Sequence, residues 1–110
     1  MTFRVVYAPE AEQALVDLYI YLADAASPET ALQYVTELVR YCDSFATFPH
    51  RGTRRDDVLP GLRISHFRGR TVIAFAVDGE CVNIAGFFHG GRDYEEILRN
   101  SAASSARLVL

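Results

Sequence analysis

Apolar positions along the chain follow three successive rhythms, and each rhythm predicts a different element. The opening run "FRVVYA", Phe3 to Ala8, is short, β-branched and aromatic and stops at Pro9, a residue suited to the first turn of a helix. It predicts a strand that passes directly into a helix. From Pro9 to about Ala26, the residues Ala11, Leu15, Leu18, Leu22 and Ala25 fall on one helical stripe, with Glu10, Gln13, Asp17 and Asp24 on another face. In "SPET", Ser27 is placed to cap a second helix and Pro28 to open it. Its stripe is Ala31, Tyr34, Val35, Leu38, Cys42, Phe45 and Phe48, so two amphipathic helices in a row predict a hairpin. Pro49 to Gly61, with two prolines, two glycines and clustered charge, reads as a loop.

Beyond that loop the period drops to two. "LRISHF", "TVIAFAV" and "ECVNIAGFFH" predict three strands joined by "RGR" and by Asp78-Gly79, a strong hairpin signal. A turn centred on Asp78 and Gly79 sets Val77 opposite Glu80, Phe75 opposite Val82 and Ile73 opposite Ile84 on a face of large residues. Ala76/Cys81, Ala74/Asn83 and Val72/Ala85 then share a face of small ones. Carried through "RGR", this register adds Leu62, Ile64 and His66 to the large face and Arg63, Ser65 and Phe67 to the small one. The large face is expected beneath the helical hairpin. No second long amphipathic segment exists for the small face, which therefore suits a partner, unless the C-terminal segment folds back over it. Asp93 and Glu96 form a D-x-x-E capping box for a short last helix, with Ile97 and Leu98 packing back. The expected fold class is α+β in the order β-α-α-β-β-β: a helical hairpin on one face of a mostly antiparallel four-stranded sheet, with the first strand at an end. A single domain is expected over residues 1–99, with a mobile Ser/Ala-rich tail over 100–110.

With 110 residues, half of them apolar, the chain is long enough for one modest core and too apolar for a disordered segment. No apolar run reaches the roughly 20 residues that span a bilayer, and the first residues lack a signal-peptide pattern, so a cytoplasmic protein is expected. Cys42 and Cys81 lie in apolar periodic segments without partners at metal spacing and are expected as reduced thiols, with neither metal nor cofactor implied.

Charge is informative by location. The net value is −3, yet residues 1–48 hold two Arg against seven acids (−5), whereas residues 49–70 hold six Arg against two Asp (+4). All eleven basic residues are Arg, a side chain that grips phosphates and carboxylates bidentately. Within the loop, Arg54 or Arg55 can instead pair with Asp56 or Asp57. The acidic total argues against a nucleic-acid-binding domain. The "RGR" turn lies near the sheet end where the last strand finishes, so Arg68, Arg70, His89, Arg92 and Tyr94 can converge, and they are the set a nuclease would have to use. Arg63, by the expected register, lies about 25 Å from His89 along the sheet. Each histidine also has a plainer role: His89 as a strand end bonded to backbone, His66 as a structural residue facing the core.

The start "VVYAPEAEQALVDLYIYLA", the second helix ending "FATFPHRGTRRDD", then "LPGLRISHFRGRTVIAFAV" and the finish "FFHGGRDYEEIL", in that order, resemble the ParE/RelE superfamily of bacterial toxins, the ParE branch more closely. The resemblance implies the toxin of a type II toxin–antitoxin pair that inhibits DNA gyrase and is held by a ParD-like antitoxin, with a RelE-like ribosome-dependent mRNA interferase as the alternative. It implies no confident catalytic residue. Arg68, Arg70, His89 and Arg92 become the expected target-binding rim. The small face, with Arg63, Phe67, Val72, Ala74, Ala76, Ala85 and Phe87, becomes the expected antitoxin-binding surface.

Overall fold

A computed structural model describes residues 2–100. Strand β1 (Arg4–Tyr7) leads into helix α1 (Pro9–Ala25), helix α2 (Pro28–Asp43) and a 3-10 turn (Ser44–Ala46). Strands β2 (Thr53–Arg54), β3 (Arg63–Phe67), β4 (Thr71–Asp78) and β5 (Cys81–His89) follow, and a last helix, α3, covers residues 94–100. The Ser27 hydroxyl accepts the Thr30 amide at 3.1 Å with Pro28 behind it, so the second helix starts where its cap residue dictates. The 3-10 turn breaks the helical period after Asp43. Phe45 therefore stays in the core while Phe48, expected on the same stripe, is left 65% exposed.

The sheet has five strands in the order β1-β5-β4-β3-β2 and is mixed, where four mostly antiparallel strands were expected. The fifth is β2, a two-residue strand inside the segment read as loop, too short to leave a period-2 signal. β1 runs parallel to β5 and sits at the sheet edge.

Two turns shift the expected register. Asp78 pairs with Cys81, so Gly79, at φ 59°, is the first of the two turn residues, the glycine position of a type II′ turn. Val77 consequently faces Val82 and Phe75 faces Ile84; moving the turn by one residue moves each partner by two along β5, so the large face survives. At the other turn all three of Arg68, Gly69 and Arg70 form the loop, because Phe67 pairs with Thr71. An odd loop reverses the faces of β3: Arg63, Ser65 and Phe67 point to the helical hairpin, while Leu62, Ile64 and the exposed His66 lie on the opposite side. A bulge at Ala85 reverses the end of β5 as well, moving Phe87 and His89 to the hairpin side and Phe88 to the other.

The main core lies between hairpin and sheet around Leu38, Cys42, Phe45, Ile73, Phe75, Val82 and Ile84, all fully buried. Phe45 and Phe75 meet at 4.7 Å between ring centroids. Each such side chain contributes about 1.5–3 kcal/mol by leaving water. The expected bare face is covered in part. Ile64, Ala74 and Phe88 form a second, smaller core with Val58, Leu62 and Leu98, backed by Tyr94 and Ile97. The two parity reversals gave this face large side chains, and α3 closes over them. Asp93 Oδ1 accepts the Glu96 amide at 3.2 Å, as its spacing predicts. The tail expected from Asn100 onward lies, after that residue, outside the described residues.

Candidate functional site

Pairing of Thr71 with His89 brings the "RGR" loop and the end of β5 together, as expected for Arg68, Arg70 and His89. Arg70 is exposed, and its carbonyl accepts the Gly90 amide at 3.1 Å. Arg68 is held down instead: its guanidinium lies 5.1 Å from the Phe67 ring centre and 5.7 Å from that of Tyr34, and it pairs with Glu37 on α2. His89 turns towards the hairpin. Its Nδ1 lies 2.8 Å from the Thr71 hydroxyl, which lies 2.7 Å from the Tyr34 phenol, and its ring is edge-on to Tyr34 with centroids 5.8 Å apart. Burial, and then the positive charge of Arg70, push the imidazole below its ordinary pKa, so the neutral ring is favoured. With the neutral ring protonated at Nε2, Nδ1 accepts from Thr71 and Thr71 accepts from Tyr34; with the other tautomer both bonds reverse, and either way each proton has a place.

Tyr94 does not join this group. It packs with Phe88 on the other side of the sheet, where Arg55 Nη1 donates to its phenol oxygen at 2.6 Å. Arg55 also pairs with Asp57 and Glu95, each at 2.9 Å. These carboxylates raise the pKa of the guanidinium, and Arg55 holds Asp57 below its ordinary value. The pairing expected within the loop is present for both arginines, since Arg54 meets Asp56 at 3.0 Å. The sequence carried no signal that Arg55 would also tie the loop to α3. Arg92 is exposed beside the end of β5.

Arg63 shares a row with Phe75 and Ile84, four residues along the sheet from the row of Phe67, Thr71 and His89. That is about 13 Å along the strands, not 25 Å. Its Nε donates to the Arg51 carbonyl at 3.1 Å; the Arg51 guanidinium covers Tyr41 and Phe45 and donates to Ser44 Oγ at 2.6 Å.

The residues expected to form one antitoxin surface are divided by the same parity reversals. Arg63, Phe67 and Phe87 lie on the hairpin face, with both phenylalanines buried. Ala74 is fully buried in the second core, Val72 and Ala76 are half-buried on that face, and Ala85 is exposed at the bulge. A large side chain at Ala74 is therefore a folding lesion before it is a binding one.

A groove of about 910 Å³ runs along the end of β5, from Ala85 to Gly90, between α1 and α3. His89 and Arg92 line it, which joins the rim to the groove. Among the described residues no group of three or more His, Cys, Asp or Glu could hold a metal ion. Both cysteines are free, and burial followed by the charge of Asp43 pushes the Cys42 thiol up to about 12.

A helical hairpin over a mixed five-stranded sheet defines a small α+β protein. The model of the family described as the ParE toxin of the type II toxin–antitoxin system parDE matches residues 5–94, and the chain belongs to that family. Solved structures similar to the chain include two toxin–antitoxin complexes. One is of the chromosomal ParDE toxin–antitoxin system from P. aeruginosa, at TM-score 0.72 and 20% identity, covering 81% of this chain and 97% of that one. The other is of the toxin–antitoxin complex RelBE2 from Mycobacterium tuberculosis, at TM-score 0.58 and 18% identity, covering 81% and 99%. At these identities the likeness is one of fold. No curated protein matches the chain.

Proposed function

We propose that this chain is a cytoplasmic toxin that inhibits DNA gyrase, blocks replication and is neutralised by a ParD-like antitoxin. One observation carries the choice of gyrase over RNA: the residues a nuclease would need are divided. His89 is bonded into the hairpin face through Thr71, Tyr94 is held by Arg55 behind the sheet, and Arg68 is closed on Glu37. Cleavage by a 2′-hydroxyl requires a base, an acid and cations around a single phosphate. A gyrase inhibitor requires only a binding surface. Arg70 and Arg92, exposed and without a carboxylate partner among the described residues, supply one at the groove end beside His89.

The test is ATP-dependent supercoiling by purified gyrase with the purified chain added. Supercoiling is expected to stop and cleaved DNA to accumulate, with Arg70→Ala and Arg92→Ala together weakening the effect at least about tenfold. Normal supercoiling at high toxin excess overturns the proposal. Cutting of messages only on translating ribosomes, abolished by His89→Ala, would replace it with the RelE-like mRNA interferase.

A further inference from the structure

Most arginines of the loop and sheet are committed to partners inside the chain. Arg54, Arg55 and Arg68 pair with carboxylates, Arg51 lies over Tyr41 and Phe45, and Arg63 donates to the Arg51 carbonyl. Arg70 and Arg92 are exposed and pair with no carboxylate among the described residues. They stand on separate segments, the β3–β4 loop and the chain beyond β5, and the backbone joins them. The Gly90 amide donates to the Arg70 carbonyl at 3.1 Å, two residues before Arg92. Gly90 and Gly91 have φ of 73° and 82°, and a Cβ on either would meet nothing within 4 Å, so this turn stands clear of the rest of the chain. Among the described residues the Gly91 and Arg92 amides donate to no protein group. Glu37 is closed on Arg68 and Asp93 is turned to the Glu96 amide. Glu10 and Asp17 line the α1 side of the groove, which leaves the loop side as the place for an anion.

We infer that this loop binds the phosphate backbone of the DNA on which gyrase acts, with Arg70 and Arg92 each taking a phosphate and the free amides beside them. The inference rests on the gyrase reading above and names the surface met by the rim as nucleic acid in place of protein. A guanidinium grips a phosphate bidentately, and such contacts position a protein without reading sequence. Duplex DNA carries one charge per about 1.7 Å of its axis, so guanidiniums on two neighbouring segments each find a phosphate. A protein surface would have to hold two carboxylates at the matching spacing. The net charge of −3 opposes DNA binding by the chain as a whole, so the contact forms where gyrase presents the strand.

Binding of the intact chain, labelled at its N-terminal amine, is measured to gyrase alone and to gyrase loaded with linear duplex DNA. The loaded enzyme is expected to bind it at least about tenfold more tightly, and Arg70→Gln with Arg92→Gln to remove most of that gain. Arg40→Gln, at an exposed position of α2 outside the rim, changes it by less than about twofold. In parallel, the chain alone is titrated with a duplex of about 12 base pairs and followed by NMR, where the Gly91 and Arg92 amides shift at about 20 mM salt. Raising the salt to about 200 mM weakens that binding roughly 60-fold, as two phosphate contacts require. Equal affinity for the two states of gyrase overturns the inference. So does a double-variant loss that is as large without DNA, which places a gyrase side chain on the rim, and so do amides that the duplex leaves unmoved. A chain that leaves gyrase unbound and supercoiling intact sinks the gyrase reading and the assigned source of the DNA, a failure that the duplex titration tells apart from loss of the phosphate site.

Discussion

Thr71 is fully buried at the point where α2, β4 and β5 meet, and its hydroxyl stands between the Tyr34 phenol at 2.7 Å and His89 Nδ1 at 2.8 Å. Thr71→Val keeps the shape of the side chain and removes only that hydroxyl. Two hydrogen bonds are lost, each contributing about 0.5–1.5 kcal/mol net. Tyr34 and His89 are only half-buried, so water can recover part of what they lose. The expected destabilisation is about 1–2 kcal/mol, which for a domain of this size lowers the Tm by roughly 5–15 °C. Thr71→Ser keeps the hydroxyl and loses a methyl group, at a cost below about 1 kcal/mol. Urea denaturation of the three proteins, read as midpoints at constant slope, makes the comparison. If Thr71→Val matches or exceeds the wild type, or if Thr71→Ser costs more than Thr71→Val, the hydroxyl does not hold the junction together.

Further predictions concern titration, reactivity and the backbone. His89 titrates below the ordinary histidine value because burial and Arg70 disfavour its charged form, so the unfolded chain binds the proton more readily. Its contribution to stability is complete above about pH 6.5 and is lost as the pH falls through the lower folded value. NMR titration of His89 gives that value, and His89→Gln should flatten the stability profile below about pH 6.5. Burial and Asp43 keep Cys42 protonated, so at pH 8 a thiol reagent should modify the half-buried Cys81 and leave Cys42 untouched until the chain unfolds; mass spectrometry of the labelled protein decides this. Gly52 has φ 69°, and a Cβ there would lie 2.1 Å from the Ile64 carbonyl oxygen. Gly52→Ala should therefore cost more than about 1 kcal/mol, with β2 exchanging faster by hydrogen exchange; an unchanged denaturation midpoint would contradict the position assigned to β2.

The helical half of the chain was legible up to the 3-10 turn that displaces Phe48. Pro9, Ser27 and Pro28 act through their own backbone geometry and hydroxyl, and the stripes of α1 and α2 follow from a period that neighbours do not alter. The three long strands were equally visible, as was the pairing of large residues on β4 with those on β5. Faces and register at the sheet end were not. They depend on whether "RGR" spends two residues or three in its loop and on whether Ala85 bulges, and the local sequence does not choose between these. Packing decided them: with an odd loop and a bulge, Phe67 and Phe87 fill the space under the hairpin while Ile64 and Phe88 make a core for α3. One residue of parity moved His89 to Thr71 and Tyr34, put Tyr94 behind the sheet with Arg55, and buried Ala74. Composition and order thus determined the elements and the family, because these depend on local propensity and period. The tertiary structure alone decided which side of the sheet each candidate residue occupies, because a strand's face is a global count that any turn can shift by one.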